Sequence, residues 1–162
     1  MDQEARLDGV PAAEHPQALR LWLRLLTCTQ LVEKCVRGGL RASFDTTLPR
    51  FDLMAQLERS CDGLKMNEVS RRMMVTGGNV TGITDQLVAE DLVERVAVDG
   101  DRRAYRVRLT AKGRRVFGDM ALANEAWVVD AFSNLSRSET DTLHRLLGKV
   151  KQHAQAVTEE AP

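Results

Sequence analysis

A mainly α-helical fold of about six helices with a small two- to three-stranded β-wing is the class this chain predicts, and three observations carry it. Residues 64–98 read as helix, tight turn, helix and strand. A basic hairpin, DGDRRAYRVRLT, follows at once. Apolar-rich helical segments then stand at both ends of the chain, holding more apolar surface than a small reading head can cover. Together they predict a winged helix-turn-helix joined to a helical dimerisation domain.

The elements follow in order. Gln17 to Val36 is helical in composition and apolar on two sides: Leu19, Trp22, Leu23 and Leu26 form one stripe, Leu21, Leu25, Cys28, Val32 and Cys35 another. Such a helix is buried from two directions, and a second chain is the expected source of one covering. Gly38-Gly39 is read as its end, FDTTLP as the loop beyond, and Pro49 as the first position of a second helix that turns Phe51, Met54, Ala55 and Leu57 inward. Ser60 to Gly63 makes a turn. The third helix lacks a good cap at Lys65, but Glu68 can reach back to the Lys65 amide, and Leu64 with Val69 makes a hydrophobic staple.

Thr76 is read as the cap of the fourth helix. Small hydrogen-bonding side chains (Thr76, Asn79, Thr81, Thr84) are assigned to its solvent side, with Val80, Ile83, Leu87 and Val88 as the packed stripe. Strands are expected over Leu92 to Val98 and Ala104 to Leu109, around a turn at Asp99-Gly100. Thr110 then caps a long helix carrying Val116, Phe117, Met120, Ala123, Trp127, Val128 and Phe132. Ser136 with Glu139 is a capping box for the last helix, whose stripe is Leu143, Leu146, Leu147 and Val150.

Composition bounds the function. The 162 residues are 43% hydrophobic and 28% charged, enough for one domain with helical extensions. No run approaches the ~18 apolar residues of a membrane span, and the start MDQEARLDG lacks the order of a secretory signal, so the expected location is cytoplasmic. Cys28, Cys35 and Cys61 are an odd set without metal-ligand spacing, and His15, His144 and His153 are scattered, so neither a metal nor a cofactor is expected. Ser/His/Asp order, a phosphate loop and a carboxylate-histidine cluster are all missing, so the chain reads as no enzyme.

Net charge is zero, yet it is segregated: Cys61 to Arg115 carries 11 Lys/Arg against 8 Asp/Glu. Arg95, Arg102, Arg103, Arg106, Arg108, Lys112, Arg114 and Arg115 crowd one stretch against only Asp99 and Asp101. Placed directly after a helix-turn-helix, that is the footprint of phosphate contact with duplex DNA. The expected organisation is a mobile tail over 1–16, a dimerisation helix and loop over 17–46, a winged DNA-binding domain over 47–110, C-terminal dimerisation helices over 111–156, and a tail over 157–162.

With these residues in view, the chain resembles the MarR (multiple-antibiotic-resistance) family of bacterial transcriptional regulators. TLPRFDLMAQL is similar to the family's second helix, MNEVSRRMMVTGGNVTGITDQLVAEDLVER to its reading helices, DRRAYRVRLTAKGRR to its wing, and LSRSETDTLHRLLGKV to its last helix. The most specific part is D-x-R at Asp101 and Arg103, followed by R-L-T-x-x-G from Arg108 to Gly113. The resemblance implies a homodimer. It places Thr76, Gly77, Asn79, Thr81 and Gly82 toward the major groove and Arg103 in the minor groove, oriented by Asp101, with Thr84 and Arg102 as neighbouring candidates. Met74 stands where many relatives have Gly, and the recognition helix lacks a basic residue near Gly77 or Gly82. Base choice then falls to Asn79 and the threonine methyls.

The resemblance further implies release from the operator by a small organic effector, an aromatic acid or its CoA thioester; a dimer's two recognition helices suit a near-palindromic site, and a protein this small is expected to repress by occupying a promoter. The candidate lining is Trp22, Cys28, Thr29, Phe44, Arg50, Met54 and Trp127, with Arg50 the partner for a carboxylate or phosphate. Two alternatives stay open. One is a cysteine-based redox sensor using Cys28 and Cys35, which lie roughly 10 Å apart along one helix and so need a pairing across the dimer. The other is a winged helix used only for protein contact.

Overall fold

The computed structural model describes residues 16–73, 80–98 and 101–159, with only the backbone described for 101–104. Residues 1–15 of the expected N-terminal tail and the cap at Thr76 lie outside the described residues, while Pro16 opens the first helix. Among them are six helices and one antiparallel sheet: α1 (Pro16–Phe44), α2 (Leu48–Glu58), β1 (Leu64–Lys65), α3 (Met66–Arg72), α4 (Val80–Ala89), β2 (Val93–Val98), β3 (Asp101–Leu109), α5 (Ala111–Ala131) and α6 (Arg137–Glu159). The chain divides into two compact units, Met1–Trp127 and Val128–Pro162.

In the first unit α2 is the hub, packing on α1, α3, α4 and β3. Its Leu53, Met54 and Leu57 are essentially fully buried, as are Val69 of α3, Leu87 of α4, Val93 of β2, and Val107 and Leu109 of β3. Each large aliphatic removed from water in this way contributes about 1.5–3 kcal/mol before entropy is counted. The strands alternate as a half-buried sheet must: Val107 and Leu109 face in, while Arg106 and Arg108 remain partly exposed. Strand order is β1-β3-β2, with Leu64 opposite Val107 and Val93 opposite Leu109. β3 is longer than expected, and the register shifts between Ala97 and Val98, which pair with Tyr105 and Asp101.

The first helix departs most from expectation. It runs through Gly38-Gly39 to Phe44 and ends at Asp45, whose φ of 48° is left-handed. Tertiary packing explains this: Val36 and Leu40 are buried on either side of the glycines, and a Cβ on Gly39 would stand 2.5 Å from Cε2 of Trp127. Gly39 provides room for an indole rather than a stop. The second helix also begins one residue before Pro49, with Thr47 at the N-cap position.

Local capping matches the sequence reading. The Lys65 amide donates to Glu68 Oε2 at 2.8 Å, the Gly113 amide to Thr110 Oγ1 at 2.9 Å, and the Ser136 amide to Glu139 Oε2 at 2.8 Å. The backbone amide of Lys65 holds the Glu68 carboxyl below its ordinary value of 4.5, and the hydroxyl and amide of Ser136 do the same for Glu139. A carboxyl depressed in the folded state contributes stability that is present above its unfolded value and is lost as pH falls through the folded one. The unfolding midpoint is therefore expected to drop on acidification below 4.5, and Glu68→Gln with Glu139→Gln should flatten part of that drop in a pH series of thermal melts.

Much of α1 is uncovered in a single chain, where Leu19, Leu21, Trp22 and Leu31 are exposed. Leu122 and Val129 of α5, and Phe132 just beyond its end, are likewise exposed. In the second unit α6 buries no residue, and Leu143, Leu146, Leu147 and Val150 form an open row at helical spacing.

Candidate nucleic-acid interface and effector cleft

Helix α4 is the helix expected to read DNA. Leu87 is sealed into the core on one side, while Thr81, Asp85 and Gln86 are exposed on the other. Of the candidate DNA contacts, Thr81 is exposed and Gly82 half-buried, whereas Thr76, Gly77 and Asn79 lie outside the described residues. Thr84 is a correction. It is completely buried, with its hydroxyl donating to the Val80 carbonyl at 2.7 Å, and so cannot face a groove. Position 84 lies four residues after Val80 and three before Leu87, on the packed stripe, and the bond to its own helix satisfies the hydroxyl there.

The basic stretch is also narrower as a DNA surface than its charge count implied. Arg95 is ion-paired with Asp85 of α4, its guanidinium lying 5.3 Å from the centre of the Tyr105 ring. Arg108 Nε donates to Glu94 Oε1 at 2.7 Å across the directly opposed pair of β2 and β3. Arg106 Nη1 donates to the Gly63 carbonyl at 3.1 Å, and Lys112 Nζ to the Glu90 carbonyl at 2.7 Å. Four of the eight cations thus hold the head together. Arg114 and Arg115 are exposed in the first turn of α5. Asp101, Arg102 and Arg103 belong to β3, their side chains outside the described residues.

The R-L-T-x-x-G signature proves to be a joint. Thr110 Oγ1 accepts from the Gly113 amide and donates to the Asp91 carbonyl at 2.7 Å, while the Thr110 amide donates to the Leu92 carbonyl at 3.1 Å. It fastens the start of α5 to the corner between α4 and β2.

Beside that joint lies a cleft of about 510 Å³, lined by Phe44, Asp45, Thr46, Arg50, Met54, Glu90, Leu92, Lys112, Val116 and Met120. Phe44, Arg50 and Met54 of the expected effector residues meet there. The other four do not: Trp22 is exposed, Cys28 is exposed, Thr29 bonds its hydroxyl to the Leu25 carbonyl, and Trp127 packs on Gly39. The cleft instead gains Glu90 and Lys112, at opposite ends of the corner that R-L-T-x-x-G closes, and that motif was the available signal for them. Arg50 is ion-paired with Glu90, and its Nε is buried without a hydrogen-bond partner among the described residues. All three cysteines are exposed, and the described residues contain no cluster of potential metal ligands. None of the described helices is long and apolar enough to cross a membrane.

Comparison with known proteins agrees with this geometry. Residues 44–104 match the family model described as MarR family. The Transcriptional activatory protein BadR of Rhodopseudomonas palustris is 28% identical over 144 residues, covering 86% of this chain and 82% of its own length. Other curated HTH-type regulators are matched over 59–63% of their length. A MarR family transcriptional regulator from Silicibacter pomeroyi is 25% identical, with a TM-score of 0.75 over 89% of this chain and 99% of that one. Wild-type MarR from Escherichia coli in its apo form is 26% identical, with a TM-score of 0.68 over 78% of this chain and 94% of that one. The fold, the wing signature and these relatives together make the chain similar to the MarR family of DNA-binding transcriptional regulators, whose family model matches residues 44–104, and its relatives are regulators and not enzymes.

Proposed function

We propose that this protein binds a near-palindromic operator as a homodimer, represses by occupying the promoter, and is released when an anionic organic effector, an aromatic acid or its CoA thioester, enters the cleft. The observation that carries the reading is Arg50, whose guanidinium holds Glu90 at the end of α4 yet keeps one nitrogen unbonded among the described residues. A carboxylate bound there competes with Glu90 for Arg50 and is attracted by Lys112, which grips the carbonyl of the same residue. Effector chemistry is thereby coupled to the C-terminal end of the helix that meets DNA. Thr76, Gly77, Asn79, Thr81 and Gly82 read the major groove in this proposal, with Arg103 in the minor groove oriented by Asp101 and Arg102 beside it.

The open apolar rows on α1, α5 and α6, each taken by itself, support a second copy of the chain as the dimer partner, because isolated monomers rarely leave such rows in water. The name of BadR favours a second reading, activation, in which the same binding event recruits rather than blocks transcription. A promoter reporter with and without the protein separates the two by sign.

The decisive experiment is binding of the purified protein to DNA from its own promoter neighbourhood, at two salt concentrations, with and without a panel of aromatic acids and CoA thioesters. Specific binding should weaken steeply with salt, since each phosphate contact releases counterions. One compound should then abolish it, and Arg50→Met should raise the concentration needed by about tenfold or more, the loss of a charge-assisted bond. Release by peroxide alone would transfer the sensor role to Cys28 and Cys35. Absence of specific binding would favour a protein-contact module.

A further inference from the structure

Arg95 is a cation that touches three elements of the head. It springs from β2, pairs with Asp85 on the exposed side of α4, and lies over the ring of Tyr105 on β3. Tyr105 is opposite Ala97, at the point where the β2–β3 register shifts before the Val98–Asp101 pair. The contact therefore sits where the wing leaves the body of the head. Asp85 is one helical turn beyond Thr81, on the same exposed side of α4. A bare carboxylate there would repel the phosphate backbone.

We propose that Arg95, Asp85 and Tyr105 form a clamp that fixes the wing against helix α4, making Arg95 a positioning residue for DNA binding and not a phosphate contact. The proposal rests on the DNA-binding reading of α4 and the wing. Its logic is geometric. A groove-reading helix and a wing engage one duplex together only if the angle between them is set beforehand, because orienting them on the DNA costs conformational freedom. The planar guanidinium suits the task, since it can bond a carboxylate in its plane while stacking on a ring by its face. With its charge shared between Asp85 and the ring, it is poorly placed to serve a phosphate.

The test uses Arg95→Met, Arg95→Lys, Asp85→Asn and the Asp85→Asn/Arg95→Met double variant, all in the full-length protein. Amide exchange is measured first without DNA. The clamp requires faster exchange in β3 and the end of β2 in Arg95→Met, and unchanged exchange there overturns it whatever the DNA results are. Operator affinity is then measured over a range of salt. The expected result is a loss of about tenfold for a dimer in both Arg95 variants, with the salt dependence unchanged, because a lysine keeps the charge but not the planar stack. The double variant should bind no worse than Arg95→Met, since the two residues act as a unit. Two results overturn the proposal: a salt dependence shallower by about one unit per head in Arg95→Met, the mark of a lost phosphate contact, or full affinity in Arg95→Lys. Failure of the wild-type protein to bind DNA refutes the DNA-binding reading and the positioning role together, while the exchange result separately decides whether the clamp exists.

Discussion

Replacing Gly113 by alanine should lower the unfolding midpoint by about 10 °C, from a cost of about 3 kcal/mol in a chain of this size. A Cβ at this position would stand 1.9 Å from the Leu92 carbonyl oxygen and 2.9 Å from its carbonyl carbon. These neighbours are backbone, and they are held: Leu92 O accepts from the Thr110 amide while the Leu92 amide donates to Leu87 O at 2.9 Å. Relief must open either the start of α5 or the α4–β2 corner, and both are anchored by buried Leu87, Val93 and Leu109. Gly118, in the same helix, is the internal control. A Cβ there meets nothing within 4 Å, so Gly118→Ala should stabilise by about 0.5–1 kcal/mol through helix propensity. Thermal melts of the two variants should move in opposite directions, and parallel shifts would refute close approach as the cause.

Arg103→Ala should weaken operator binding on the order of 100-fold in a dimer, at about 1–1.5 kcal/mol per head, while leaving dimerisation and melting intact. The resemblance assigns the minor-groove role to Arg103 through the D-x-R signature. Elsewhere in the basic stretch, Arg95, Arg106, Arg108 and Lys112 have partners inside the protein. Arg108→Ala is the matched comparison. Its charge is already paired with Glu94, and its loss should change affinity by only a few-fold. Equal losses in the two variants, measured by the same binding titration, would show that the wing acts as a diffuse positive surface.

The features legible in the sequence are those whose cause is local. Thr110, Ser136 with Glu139, and Glu68 announce helix starts because a cap needs only residues three or four apart, and each bond is present. The apolar spacing of Met54 and Leu57, both buried, announces a helix for the same reason, although Leu53, buried beside them, is not among the residues that spacing singles out. The D-x-R and R-L-T-x-x-G residues locate the wing.

The departures from expectation share the opposite cause. Gly38-Gly39 reads as a stop in isolation, and only Trp127, far along the chain, explains why the helix continues past it. Thr84 is polar and so reads as outward, but its hydroxyl is bonded within the helix, leaving its methyl for the core. Residue type alone points to seven effector residues, and three of them converge because a cleft depends on which turns the packing brings together.

Local periodicity, caps and a short wing signature thus determined the fold class and the order of its elements, since each is fixed by interactions between near neighbours in sequence. Which cations of the stretch are engaged within the protein, among the described residues, and which side chains share a cleft with Arg50, were decided by tertiary structure alone. Ion pairing and cavity lining depend on distances of a few ångströms between residues tens of positions apart, as Arg50 and Glu90 are.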